Sequence, residues 1–198
     1  MKAQETVVIF IEFQNDFCKP QGVFYDLVQE ELARLDTIAN GVKLLAAARE
    51  KRTRVVHCPF VFDADWMQRH QCVGLLDVIG KNEAFQPNTW GAAIIEEMEP
   101  LPQETVLTGK HALSAFTNTE LSHVFKTGGY RNLLVCGFLT NVCAQATAIS
   151  AYDRGLNTRM VVDACASGGR AIQDYVEQNV CPILGGPLTT AEAIALLQ

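Results

Sequence analysis

Positive charge is in short supply in this chain, and so are long hydrophobic runs. The 198 residues carry 16 Lys and Arg against 22 Asp and Glu, a formal net charge of -6. That leaves no basic footprint for a nucleic acid or an anionic membrane. The one basic cluster, REKRTR over Arg49 to Arg54, sits where a helix should end and reads as a complement to the helix dipole. The N-terminal apolar run, VVIFI, is too short for a signal-peptide core or a membrane span, and no other stretch approaches a span's length. A soluble, cytoplasmic protein is expected, with no membrane or nucleic-acid partner. The 7 cysteines are an odd number without a CxxC pair, so reduced thiols are expected rather than a disulfide framework. No GxGxxG follows the first apolar run. The Gly109–Lys110 pair lacks the upstream glycine and the following Ser or Thr of a phosphate loop. Both absences argue against a dinucleotide or nucleotide enzyme, and no cofactor is expected.

What is present is the composition of an ordinary globular chain, 48% hydrophobic and 19% charged. With no internal repeat or low-complexity linker, it reads as a single domain over residues 1–198. Strand-like runs are TVVIFIE (Thr6 to Glu12), RVVHCPF (Arg54 to Phe60), TVLTG (Thr105 to Gly109), NLLVCGF (Asn132 to Phe138), TRMVVD (Thr158 to Asp163) and NVCPIL (Asn179 to Leu184). Between them, DLVQEELARLDTIANGVKLLAAAREK, AAIIEEM, TELSHVFKTGG and VCAQATAISAYDRG repeat apolar residues at three- and four-residue steps. TTAEAIALLQ opens on a capping box, Thr189 to Glu192. Alternating strands and helices predict a three-layer α/β fold, Rossmann-like, with a six-stranded, mainly parallel sheet and helices on both faces. The segment from Phe62 to Trp90 is the least regular and reads either as a loop or lid over a site, or as a subunit contact. Cys72 falls within it, where exposure is expected.

Ligands of open parallel sheets bind beyond the carboxyl ends of the strands. Three reactive side chains of complementary type fall there: Glu12 after the first strand, Lys110 after the third and Cys143 after the fourth. A thiol near a helix N-terminus meets the positive end of the dipole and free backbone N–H groups. An ammonium favours its thiolate, and a carboxylate can take the thiol proton and deliver it to a leaving amine. The bland reading of each residue stands beside this one: a buried core thiol, a turn-capping carboxylate, a solvated lysine. Cys136 and Cys181 lie inside strand-like runs and read as inert. Cys18, Cys58 and Cys165 fall near strand ends, and Cys165 is the second candidate nucleophile.

IEFQNDF, GKHALSAFTNTEL, VCGFLTNVCAQATAISAYDRG and VVDACAS, in this order and spacing, together resemble the isochorismatase-like cysteine hydrolases, over nearly the whole chain. That group includes nicotinamidases, carbamoylsarcosine amidohydrolase and ureidoacrylate hydrolases. The resemblance implies a catalytic triad of Glu12, Lys110 and Cys143, and a cis peptide at Phe138–Leu139. It implies an oxyanion hole from backbone N–H groups near Thr140 and Cys143, and a homo-oligomer, dimer or tetramer. The implied activity is hydrolysis of a C–N bond, amide, ureide or carbamoyl, of a small-molecule substrate through a thioester. Gln14, Phe17, Trp66, Trp90 and Phe116 are named as pocket residues. One departure matters: the family's usual acid is an aspartate, in a pattern like IDMQNDF, where this chain has Glu12. The alternative is therefore a catalytically impaired or redox-sensing member that acts as a binding protein. An ester or a cyclic imide is a third possible bond. Nicotinamidases hold a divalent cation with an aspartate and closely spaced histidines. This chain offers only Asp63, Asp65 and His70, and no metal is expected.

Overall fold

Five of the six apolar runs form strands, all parallel, in the computed structural model, which describes residues 1–71 and 73–198. Cys72 lies outside the described residues. In chain order the elements are β1 (Thr6–Ile11), α1 (Asn15–Cys18), α2 (Tyr25–Leu35), α3 (Thr37–Glu50), β2 (Arg54–Cys58), α4 (Ala64–Arg69), α5 (Leu75–Lys81), β3 (Thr105–Val106), α6 (Leu121–Gly128), β4 (Asn132–Phe138), α7 (Gln145–Tyr152), β5 (Asn157–Ala166), α8 (Arg170–Tyr175) and α9 (Thr190–Leu196). The sheet order is β3-β2-β1-β4-β5. Every residue of β1 and of β4 is buried, which is why these strands read as unbroken apolar runs rather than alternating ones. The chain leaves β1 through α3 toward β2, and leaves β4 through α7 in the opposite direction toward β5. Right-handed crossovers in opposite directions put these helices on opposite faces and leave a crevice between the carboxyl ends of β1 and β4.

The sheet has five strands rather than six. Val176–Val180 winds as a π-type turn and Cys181–Leu184 as a 3-10 turn. Pro182 has no N–H for a strand ladder but suits the first turn of a helix, and Gly185, at φ 95, ends the turn. Beside β5 the sixth position is taken by Leu188, which exchanges backbone bonds with Met160 and Val162 (3.0 and 2.8 Å). The helix-period segment AAIIEEM is not a helix either: it runs through a turn and an isolated bridge at Ile94 into a 3-10 turn at Glu96–Met98. Its backbone is engaged elsewhere: Ile95 N–H donates to Phe13 O (3.0 Å), and Asn15 N–H to Ala93 O (3.0 Å). The irregular segment carries α4 and α5. The capping box at Thr189 and Glu192 is formed.

Candidate active site

Glu12 directly follows β1 and takes a left-handed backbone conformation, φ 56. Such a conformation costs an L residue about 1–2 kcal/mol. It is held by Glu12 N–H donating to Cys58 O (3.0 Å) and by Gln14 N–H donating to Glu12 O (2.7 Å). Lys110 follows Gly109, whose φ of 75 and close approach to the Asn118 carbonyl suit glycine alone. Cys143 lies in a π-type turn, Thr140–Ala144, that leads into α7. The Phe138–Leu139 peptide before it is cis. The turn is pinned where Thr140 Oγ1 donates to Gln173 Oε1 (2.7 Å), while Gln173 Nε2 donates to Val162 O (3.1 Å).

These three side chains, brought from the ends of three strands, meet. Lys110 Nζ donates to the Glu12 carboxylate, to Ala112 O (2.9 Å) and to Cys143 Sγ (3.7 Å). The three donors of an ammonium are thereby all engaged. Glu12, Lys110 and Cys143 are 4%, 1% and 5% exposed, so their charges interact with little solvent screening. Burial opposes the charge of Lys110, but its coupling to Cys143 and Glu12 outweighs burial and holds its pKa above the ordinary lysine value. Burial, and then the charge of Glu12, push the Cys143 thiol well up, against the pull of Lys110. Nζ also lies 5.1 Å from the centre of the Phe60 ring.

A cavity opens in front of Sγ. It is lined by Glu12 and Cys143, by Phe17, Phe24, Leu27 and Phe60, and by Leu75, Leu76 and Ile79 of α5. The water-accessible space inside is about 10 Å³, that of a single water molecule. The segment Phe62 to Trp90 therefore contributes to the lining through α5.

Of the five pocket residues expected from the sequence, only Phe17 lines this cavity. Gln14 stands behind the wall: its Nε2 donates to Phe60 O (2.8 Å) and Ala92 O (2.7 Å), and its Oε1 accepts from Phe60 N–H (2.8 Å). Trp66 does not line it and is stacked on His70 at 4.2 Å. Trp90 is 52% exposed beside a separate groove with Asn15 and Lys19. Phe116 packs on Phe125 beneath Arg154. Helix α5 and Phe60 were the missed wall. Their only signal was the apolar spacing of Leu75, Leu76 and Ile79, and a phenylalanine just past β2.

Asp63 caps α4 by accepting from Trp66 N–H (2.8 Å), and His70 is held at the Trp66 carbonyl (2.8 Å). Among the described residues no three His, Cys, Asp or Glu are grouped to hold a metal ion, and no helix is long and apolar enough to cross a membrane. Cys18, Cys58 and Cys165 are buried and do not line the cavity. Burial pushes the Cys58 thiol up to about 12 and that of Cys165 higher still.

The Isochorismatase domain family matches residues 6–192. The chain is 30% identical to the isochorismatase family protein YddQ of Bacillus subtilis, over 86% of this chain and 83% of that one. It is 29% identical to the ureidoacrylate amidohydrolase RutB of Rhizobium rhizogenes, over 90% and 76%. In fold it is similar to the crystal structure of a cysteine hydrolase from Pseudomonas syringae pv. phaseolicola, with a TM-score of 0.82 over 98% and 93% of the two chains at 23% identity.

Proposed function

Because the chain belongs to the isochorismatase family and is a hydrolase of that family, we propose that it cleaves a C–N bond of a small amide, ureide or carbamoyl compound, with Cys143 as nucleophile. The observation that carries this reading is the single ammonium, Lys110 Nζ, that bridges the Glu12 carboxylate and Cys143 Sγ beside an apolar cavity. Support for the bond class comes from relatives named ureidoacrylate amidohydrolase.

In the first step Glu12 takes the thiol proton as Sγ attacks the carbonyl carbon, forming the C–S bond. Because burial and Glu12 disfavour a free thiolate, proton transfer and attack are coupled, and Lys110 stabilises the sulfur as it gains charge. Backbone N–H groups of Thr140 and Cys143 are proposed to receive the oxyanion. Glu12 then gives its proton to the nitrogen, the C–N bond breaks, and the amine leaves a thioester on Cys143. Glu12 deprotonates a water that attacks the thioester. Collapse expels the sulfur, which recovers a proton, and the acid is released.

The test is ammonia release from a panel of primary amides, ureides and carbamoyl compounds by the wild type and by Cys143→Ala, with acid-quenched protein examined by mass spectrometry. Turnover that vanishes in the variant, with an acyl adduct on Cys143 in the wild type, is expected. Turnover indifferent to the substitution would overturn the cysteine mechanism. No turnover at all, with no adduct, would favour the impaired or redox-sensing reading.

A further inference from the structure

We propose that the group this site accepts beside the scissile carbonyl is uncharged and apolar. The substrate would be a small aliphatic or aromatic primary amide without a carboxylate or other ionised substituent. This rests on the hydrolase reading above and narrows it to a substrate class.

Twelve residues line the cavity, and only Glu12 and Cys143 among them carry polar side-chain atoms. Both are consumed by the chemistry. The rest of the surface is phenylalanine, leucine, isoleucine and alanine. The one cation nearby, Lys110, has no donor to spare, since its three N–H groups go to Glu12, Ala112 O and Cys143 Sγ. Among the described residues no Arg, Lys or His lines the cavity. A substrate carboxylate would therefore lose its water with no counter-charge, and would approach the negative Glu12. An apolar chain meets the opposite situation. The walls are apolar, and each methylene it adds is removed from water against Phe17, Phe60 and the α5 leucines. The same argument deals with the product. Hydrolysis turns a neutral amide into a carboxylate facing Glu12 in an apolar pocket, so the acid formed is poorly held and leaves.

The pair 4-methylpentanamide and succinamate tests this. Both present a primary amide on a two-carbon spacer, and they differ in ending on an isopropyl group or a carboxylate. We expect kcat/KM for 4-methylpentanamide to exceed that for succinamate at least about 100-fold. Acetamide should trail 4-methylpentanamide by at least about 10-fold, because it offers the apolar walls less surface to cover. Leu113, which is 39% exposed at the cavity's mouth, gives the converse: Leu113→Arg should raise the rate for succinamate and lower the ratio at least about 10-fold. Thermal-shift binding of both compounds to Cys143→Ala reads the pocket without catalysis and separates the two proposals. Binding of 4-methylpentanamide but not succinamate, with no turnover by the wild type, would keep this inference and sink the hydrolase reading. Turnover or binding that favours succinamate would overturn the inference and leave the hydrolase reading standing.

Discussion

Replacing Glu12 by glutamine keeps the shape of the side chain and removes one charge, which leaves the Lys110 ammonium buried with an amide oxygen for a partner. Breaking a buried pair by losing one charge costs about 3–5 kcal/mol. The amide oxygen still accepts from Nζ, so the lower end, about 3 kcal/mol, is expected at pH 7. For a chain of this size that is a fall in Tm of about 6–12 °C. The pH dependence carries the diagnosis. In the wild type the folded-state pKa of Lys110 lies above its unfolded value. Its contribution is therefore fully present below about pH 10.4 and lost only as the pH rises through the folded value. In Glu12→Gln burial acts with less opposition, the folded pKa drops below the unfolded one, and stability rises with pH instead. A 3 kcal/mol penalty corresponds to a drop of roughly 2 pKa units, so the gap between the two proteins should narrow between about pH 8 and 10. Urea unfolding at pH 7 and pH 9.5 measures both gaps. A variant within about 0.5 kcal/mol of wild type at pH 7, or a gap unchanged at pH 9.5, would refute the account of Lys110 as a buried, pair-dependent cation. Turnover should fall about 10²- to 10⁴-fold in the same variant, as for loss of a general acid–base.

Two further outcomes follow from the same geometry. Gly137 has φ 117, and a Cβ there would overlap the Ile11 carbonyl oxygen, so Gly137→Ala should cost at least about 3 kcal/mol and lower Tm by about 6 °C or more, read by thermal unfolding. At the other end of the sheet, burial works against the charge of Glu104, but the Arg49 guanidinium, the Leu101 N–H and His57 outweigh it and hold its carboxyl down to about 2. A depressed carboxylate stabilises the fold above its unfolded pKa and loses that contribution as pH falls toward the folded one. Buried His57, whose pKa is lowered by burial against the pull of Glu104, adds a loss as pH drops below its unfolded value. The full Glu104 shift would be worth about 3 kcal/mol, discounted to about 1–2 because Arg49 borders an open groove. Glu104→Gln should therefore be clearly less stable than wild type at pH 7, and the difference should shrink by that amount at pH 3.

The parts of the fold legible in the sequence were those where local pattern and tertiary environment agree. VVIFI and LLVCGF are strands buried on both faces, so no alternation was needed to see them, and the reactive residues just past their ends could be placed at one edge. NVCPIL misled because β-branched and apolar residues suit a buried turn as well as a strand; Pro182 and Gly185 decided the matter. The pocket wall was less legible. Trp66 and Trp90 lie in the right segment but do not line the cavity, because the rotation of α4 and the path of the Trp90 loop are set by contacts from His70, His111 and Asn15. Gln14 was placed near the site, and its task of holding Phe60 required knowing that β1 and β2 are neighbours.

Lys110 and Glu12 are 98 positions apart in sequence, and the strands that carry them are separated in the sheet by β2. Any partly folded chain in which β1 has paired with β4 but β3 has not docked holds a thiol and a carboxylate without their ammonium. Closing that long loop is slow and entropically costly, and the buried carboxylate is tolerable only once it is done. Catalytic competence should therefore be among the last properties to return on refolding, and it reports the complete sheet more stringently than helix content does.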